Sequence, residues 1–150
     1  MTDRIPRKNA QLGWADVRVR GIVLAAVASL ALVAVGTGTY GTVTGLTIGP
    51  GSASGRTEYF DSEYRFLNGV WLVLGVALLW AVRQPVVRRQ TILLGLIAIL
   101  GGAVARVVQL LATGWPPLPF TIALAIEVML VPPLTFAFLR AFPTGATATS

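Results

Sequence analysis

Four ionisable residues stand in or beside long apolar runs: Glu63 and Arg65 ahead of one, Arg106 inside a second and Glu127 inside a third. A carboxylate in such surroundings could act as an acid or base, or carry a proton. A guanidinium beside it could form a bidentate pair, or take a phosphate or carboxylate from a ligand. The other usual chemistry is missing, because the chain has neither histidine nor cysteine. That excludes disulfides, Cys/His zinc sites, histidine-ligated haem, thiol nucleophiles, the Ser-His-Asp triad and an imidazole pH switch. No cofactor and no metal are expected, and no residue is assigned a catalytic role. Whether the chain is an enzyme stays open, with these absences weighing against it.

These residues must be held by membrane-crossing helices. The chain has 150 residues, 55% of them hydrophobic and 12% charged. Its mean hydropathy is +0.74. A soluble domain usually carries about twice that charged fraction. Apolar runs extend from about Gly21 to Gly41, Phe66 to Val82, Thr91 to Ala112 and Leu118 to Leu139. A helix needs roughly 20 apolar residues to cross a hydrocarbon core of about 30 Å, and an open strand in lipid leaves its backbone unpaired. The expected fold is therefore all-α: an integral membrane four-helix up-down bundle. Residues 1–20 form a basic N-terminal segment, 21–141 the transmembrane domain and 142–150 a flexible tail. The first run is longer than the core of a signal peptide and is expected to stay as a span.

Charge sets the expected orientation. Arg4, Arg7, Lys8, Arg18 and Arg20 precede the first run, Arg83, Arg88 and Arg89 lie between the second and third, and Arg140 follows the fourth. The segment between the first two runs carries only Arg56 and Arg65, against Glu58, Asp61 and Glu63. The positive-inside rule then places both termini in the cytoplasm of a multi-pass cell-membrane protein. The net charge of +6 is explained by topology and anionic headgroups, so no nucleic-acid partner is expected. The bilayer is the expected partner, with a larger membrane complex or a homo-oligomer as open alternatives.

Spacing draws the charged groups together. Arg106 lies about 9 Å inside the outer end of its run and Glu127 about 13 Å inside the next, at 1.5 Å per residue. The short loop Thr113–Pro117 makes these runs antiparallel neighbours. Gly95, Ala98, Gly102, Arg106 and Gln109 recur at helical steps, as do Arg65, Asn68, Gly69, Leu72 and Gly75. The candidate site is thus Glu63, Arg65, Asn68, Arg106, Gln109 and Glu127. Arg106 and Glu127 form its deep pair, while Glu63 and Arg65 cap it. Thr37, Thr39 and Tyr40 could close the ring. Gly69, Gly75 and Gly102 are expected at close helix contacts.

Two motifs invite other readings. Gly36-Thr37-Gly38-Thr39-Tyr40-Gly41 matches G-x-G-x-x-G, but it ends an apolar run and lacks the strand and helix of a dinucleotide site. Close helix packing is the better reading, and the following Thr42-Val43-Thr44-Gly45 suggests that the helix unwinds or leads into an extended segment. Pro132-Pro133 inside the fourth run predicts a kink.

The run Asp61-Ser62-Glu63-Tyr64-Arg65-Phe66-Leu67-Asn68-Gly69-Val70-Trp71, then Gly75, Gly101-Gly102-Ala103-Val104-Ala105-Arg106 and Ala125-Ile126-Glu127 resembles the small four-span bacterial proteins grouped as domain of unknown function 4345, over about residues 21–141. The layout is more loosely similar to four-span DoxX-type proteins, some linked to respiratory or redox membrane systems. The resemblance implies a four-helix membrane fold and no particular chemistry. The basic N-terminal extension and the Gly/Ser/Thr-rich segment from Gly45 to Thr57 depart from the minimal family form, and either could dock a partner.

The charge cluster is either a satisfied network that fixes helix packing or a polar cavity for a small ligand or lipid headgroup, and the two are compatible. The expected role is a non-enzymatic accessory or scaffold subunit, or a small-ligand or lipid-binding protein. The rivals are a small proton-coupled transporter, which requires Glu127 to stand apart from Arg106, and a membrane enzyme acting on a lipid-soluble substrate.

Overall fold

An apolar chain in lipid must satisfy its backbone internally, within helices or a closed barrel, and helices are what this chain forms. The computed structural model describes residues 7–48, 57–116 and 118–143, with the side chains of 7–15, 47–48, 57–59 and 119 outside that description. Helix α1 spans Arg7–Thr44 and runs into a 3-10 turn, Gly45–Ile48. Helices α2 (Thr57–Ala81), α3 (Arg89–Thr113), α4 (Leu118–Met129) and α5 (Val131–Ala141) follow. No strand occurs among the described residues. Asp16–Thr44, Phe60–Ala81, Arg89–Thr113 and Phe120–Ala141 are each long and apolar enough to cross a membrane. Their surfaces fit that medium: on α3, Leu94, Ile97, Val104, Val108 and Leu111 are all exposed, Leu111 at 82%.

The chain divides into two units, Val27–Gln84 and Met1–Ala26 with Pro85–Ser150. In the first, the later part of α1 lies antiparallel to α2. Val27, Ala31, Ala34, Gly38, Gly41 and Gly45 recur at steps of three and four and are all buried. A Cβ placed on Gly38 would sit 2.7 Å from the backbone nitrogen of Leu72, and one on Gly75 would sit 2.8 Å from the Ala31 carbonyl oxygen. Only glycine permits such an approach of backbones. Lipid tails are as apolar as leucine, so this dense contact, rather than release of water, holds helices together in a membrane.

The threonine-rich end of α1 does not unwind, contrary to the expectation from its composition. The hydroxyls of Thr37, Thr42 and Thr44 donate to the carbonyls of Val33, Gly38 and Tyr40, each at 2.7 Å. These bonds satisfy the polar side chains within the helix. The helix stops at Gly45, whose φ of +61° favours a residue without a Cβ.

In the second unit α3 packs on α4 and α5, and α4 contacts α5. The buried face of α3 is Ile92, Gly95, Leu96, Ile99 and Ala103. This corrects the expected small-residue stripe: Gly95 lies on the buried face, whereas Ala98, Gly102 and Gln109 are exposed. Large aliphatic side chains fill the contact and turn Gly102 outward. A Cβ on Gly102 or on Gly69 would meet nothing within 4 Å. Of the three glycines expected at close contacts, only Gly75 meets a neighbouring backbone.

The proline pair interrupts the fourth span as expected. A turn at Leu130 separates α4 from α5, and Pro132 and Pro133 fall in the first turn of α5, where a missing N–H is tolerated. Bonds bracket the break, from the Leu130 N–H to Ile126 at 2.9 Å and from the Leu134 N–H to Leu130 at 3.1 Å. A second correction concerns Phe142, expected in the flexible tail. It is 6% exposed, its carbonyl accepts the Arg89 Nε–H at 2.8 Å, and its ring lies 5.0 Å from that of Phe138. The tail residues from 144 onward lie outside the described residues.

Replacing Gly38 with valine forces a Cβ into backbone that cannot yield. It should destabilise the protein by at least about 1–3 kcal/mol in reversible unfolding from bicelles. The same change at Gly102 should stay within about 0.5 kcal/mol. Equal losses at both positions would contradict the packing described.

Candidate functional site

Arg106 projects from α3 about two turns, or about 10 Å, before its end at Thr113. Glu127 projects from α4, which the short connection after Thr113 folds back along α3. Arg106 Nε lies 3.2 Å from Glu127 Oε2, with the arginine side chain 32% exposed and the carboxylate side chain 11% exposed. Glu127 is the one buried charged residue among those described. The guanidinium carbon also stands 5.5 Å from the centre of the Phe120 ring, so an aromatic face of α4 supports it by a cation–π contact.

The pair is close but incompletely joined. Oε2 of Glu127 is buried and receives no directed hydrogen bond. The contact is therefore an ion pair in which the Nε–H does not point at the oxygen. Arginine has five N–H donors, and the partial exposure of Arg106 leaves the outer edge of its guanidinium reachable. Donors left unmet within so apolar a span are costly. The arrangement can hold two helices together, and it can also accept oxygen atoms from something else.

The unit Val27–Gln84 carries a polar cluster of its own, whose members differ from the expectation. Arg65 pairs with Asp61, Nε to Oδ2 at 2.8 Å, rather than with Glu63. Residues two apart point to opposite sides of a helix, whereas residues four apart are neighbours. Glu63 is exposed. Arg65 also donates through Nη1 to the carbonyls of Thr42 at 2.8 Å and Val43 at 2.9 Å. Asp61 Oδ1 accepts the Leu46 N–H at 2.6 Å. Together they clasp the end of α1, satisfying carbonyls that a helix terminus leaves open. Gly45 lies directly beneath, its Cα facing both side chains.

The remaining candidates play quieter parts. The Asn68 amide donates to the Tyr64 carbonyl at 2.8 Å and packs on Gly41. Gln109 is exposed. Thr37 accepts the Trp71 indole N–H at 3.1 Å, and Thr39 and Tyr40 are exposed. Asp61 is the residue that sequence reasoning missed; its i,i+4 spacing to Arg65 was the available signal. Phe120, seven residues before Glu127 and so on its face of the helix, could have been found in the same way. No group of three or more acidic side chains that could hold a metal ion occurs among the described residues.

The model of one protein family, described as Domain of unknown function (DUF4345), matches residues 22–138, a stretch that contains both clusters. No curated protein and no solved structure matches the chain.

The clasp predicts a local effect. Asp61→Asn should speed hydrogen exchange of the Leu46 amide roughly tenfold, corresponding to about 1.5 kcal/mol for a bond to a charged acceptor. Glu63→Gln should leave it unchanged. Acceleration by both changes would refute the assignment of Asp61 over Glu63.

Proposed function

Because the chain belongs to that family, whose activity is unknown, we propose a role built on the charged pair: a non-enzymatic multi-pass protein of the cell membrane that binds the polar end of a small amphiphile at Arg106, with Glu127 as the buried counter-charge. The observation carrying this reading is the uneven burial of the pair. The carboxylate is enclosed, while a third of the arginine side chain is open. A guanidinium that faces lipid with N–H groups to spare seeks acceptor oxygens, such as those of an ester, a hydroxyl or a headgroup. The adjacent carboxylate makes the pair neutral overall, so a neutral acceptor is sufficient. The lysine and arginine distribution supports termini in the cytoplasm and the pair in the outer half of the bilayer.

A second reading, an accessory or scaffold subunit, draws the same acceptors from a helix of another protein or of a second copy. The exposed apolar residues near the ends of α3 and α4, Leu111 and Met129 among them, favour such contact. Proton-coupled transport calls for Glu127 to stand apart from Arg106, and the 3.2 Å contact speaks against that reading. Acid–base catalysis on a lipid-soluble substrate rests on no feature beyond the carboxylate itself.

Monoolein, which carries hydroxyls and an ester carbonyl, is a suitable probe. Native mass spectrometry of the protein released from detergent should show monoolein retained by the wild type and at least about tenfold less by the Arg106→Met/Glu127→Met double variant, a loss of about 1.4 kcal/mol or more. The double variant replaces both charges together, so it leaves neither one stranded. Equal retention by a folded double variant would overturn the proposal. Loss of a co-purifying protein in that variant, without any difference in monoolein, would favour the subunit reading.

A further inference from the structure

A second convergence of arginines lies at the other end of α3. Arg20 of α1 stands with its guanidinium carbon 5.6 Å from the centre of the Phe142 ring. Arg89, the first residue of α3, donates its Nε–H to the Phe142 carbonyl at 2.8 Å. Two cationic side chains from two helices are thus fixed around one buried residue just past the end of α5. Neither takes part in an ion pair among the described residues. Asp16 lies one turn before Arg20 on α1 and is the nearest carboxylate in sequence. The first turn of α3 has no acidic residue.

We infer that this notch binds the phosphate of an anionic phospholipid headgroup. Arg20 and Arg89 both bear on Phe142, one at its ring and one at its carbonyl, and an anion that reaches both guanidiniums offsets two like charges while accepting from both. The Nε of Arg89 is engaged with Phe142, which orients that guanidinium and leaves its remaining N–H groups to donate. Arg20 is exposed, so its side chain is within reach of a headgroup. The surroundings select the lipid as the source of the phosphate. Val86 and Val87 precede Arg88 and Arg89 and are exposed at 56% and 81%, offering apolar contact to the acyl chains directly beside the charges. Basic pockets between membrane helices are established recognition sites for such headgroups. This inference does not involve Arg106 or Glu127.

The test compares lipids in native mass spectrometry of the whole protein, supplied with equal phosphatidylglycerol and phosphatidylcholine. Wild type should retain phosphatidylglycerol preferentially. Arg20→Gln should lower that retention roughly fivefold and Arg20→Gln/Arg89→Gln further, as expected for about one headgroup contact per arginine. Arg140→Gln removes the same formal charge from a side chain that sits over the Phe136 ring instead, and should leave retention unchanged. Arg20 is itself exposed and donates no hydrogen bond to the backbone of the described residues comparable to that of Arg89, so its single variant keeps the test decisive if the double variant does not fold. Equal retention of both lipids by the wild type would overturn the inference. So would a loss on Arg140→Gln as large as that on Arg20→Gln, which would signify net charge alone. Displacement of phosphatidylglycerol by millimolar inorganic phosphate would show that the notch takes free phosphate rather than a headgroup.

Discussion

A carboxylate enclosed by apolar helices is costly to ionise without a positive partner, and much of this protein's organisation around α3 and α4 follows from that constraint. Glu127 is buried on α4, and the only way to keep it there without a large penalty is to bring a cation to it or to neutralise it. The sequence provides Arg106 on the preceding helix, a connection short enough to fold the two helices back on each other, and Phe120 to flank the guanidinium. The pairing fixes which faces of α3 and α4 meet. It also fixes the register, because one turn of slippage would move the charges about 5.4 Å apart along the axis. The aliphatic face of Ile92, Leu96 and Ile99 then continues that contact toward the Phe142 end, where Arg89 and Arg20 close it.

The hairpin of α1 and α2 uses a different physical device. No charged residue is buried in it among the described residues; its seam is a run of small residues, and its stability comes from backbone meeting backbone. The charges are placed at the end instead, where Asp61 and Arg65 tie the last turn of α1 to the 3-10 turn that follows. The same residue types therefore do two kinds of work. Between α3 and α4 a long-range arginine–carboxylate pair joins two helices. On α2 a local one is presented as a unit to a neighbouring helix end.

The spans, their helical state and the meeting of Arg106 with Glu127 could all be read from the sequence, because apolar length and the cost of charge in lipid are strong constraints. The proline kink was legible for the same reason: a missing donor is a property of the residue alone. What the sequence did not disclose was which small residues would be used. Gly38, Gly41 and Gly75 meet another helix, whereas Gly69 and Gly102 face open space, and nothing in their local sequence separates the two groups. Helical periodicity gives a stripe but not what occupies the other side of it. Glu63 and Arg65 are expected together as a cap, whereas helix geometry pairs Arg65 with Asp61, one turn before it, and leaves Glu63 exposed. Phe142 looked like the start of a tail because its partners, Arg20 and Arg89, are remote in the chain.

The account is tested most directly by a double-mutant cycle on the charged pair, measured as unfolding free energy in bicelles with Arg106→Met, Glu127→Met and the two combined. A joined pair predicts that each single change costs about 3–5 kcal/mol and that the double change costs much less than their sum, since it strands neither charge. Additivity of the two single losses to within about 0.5 kcal/mol would mean that the two side chains do not interact, and would contradict the account.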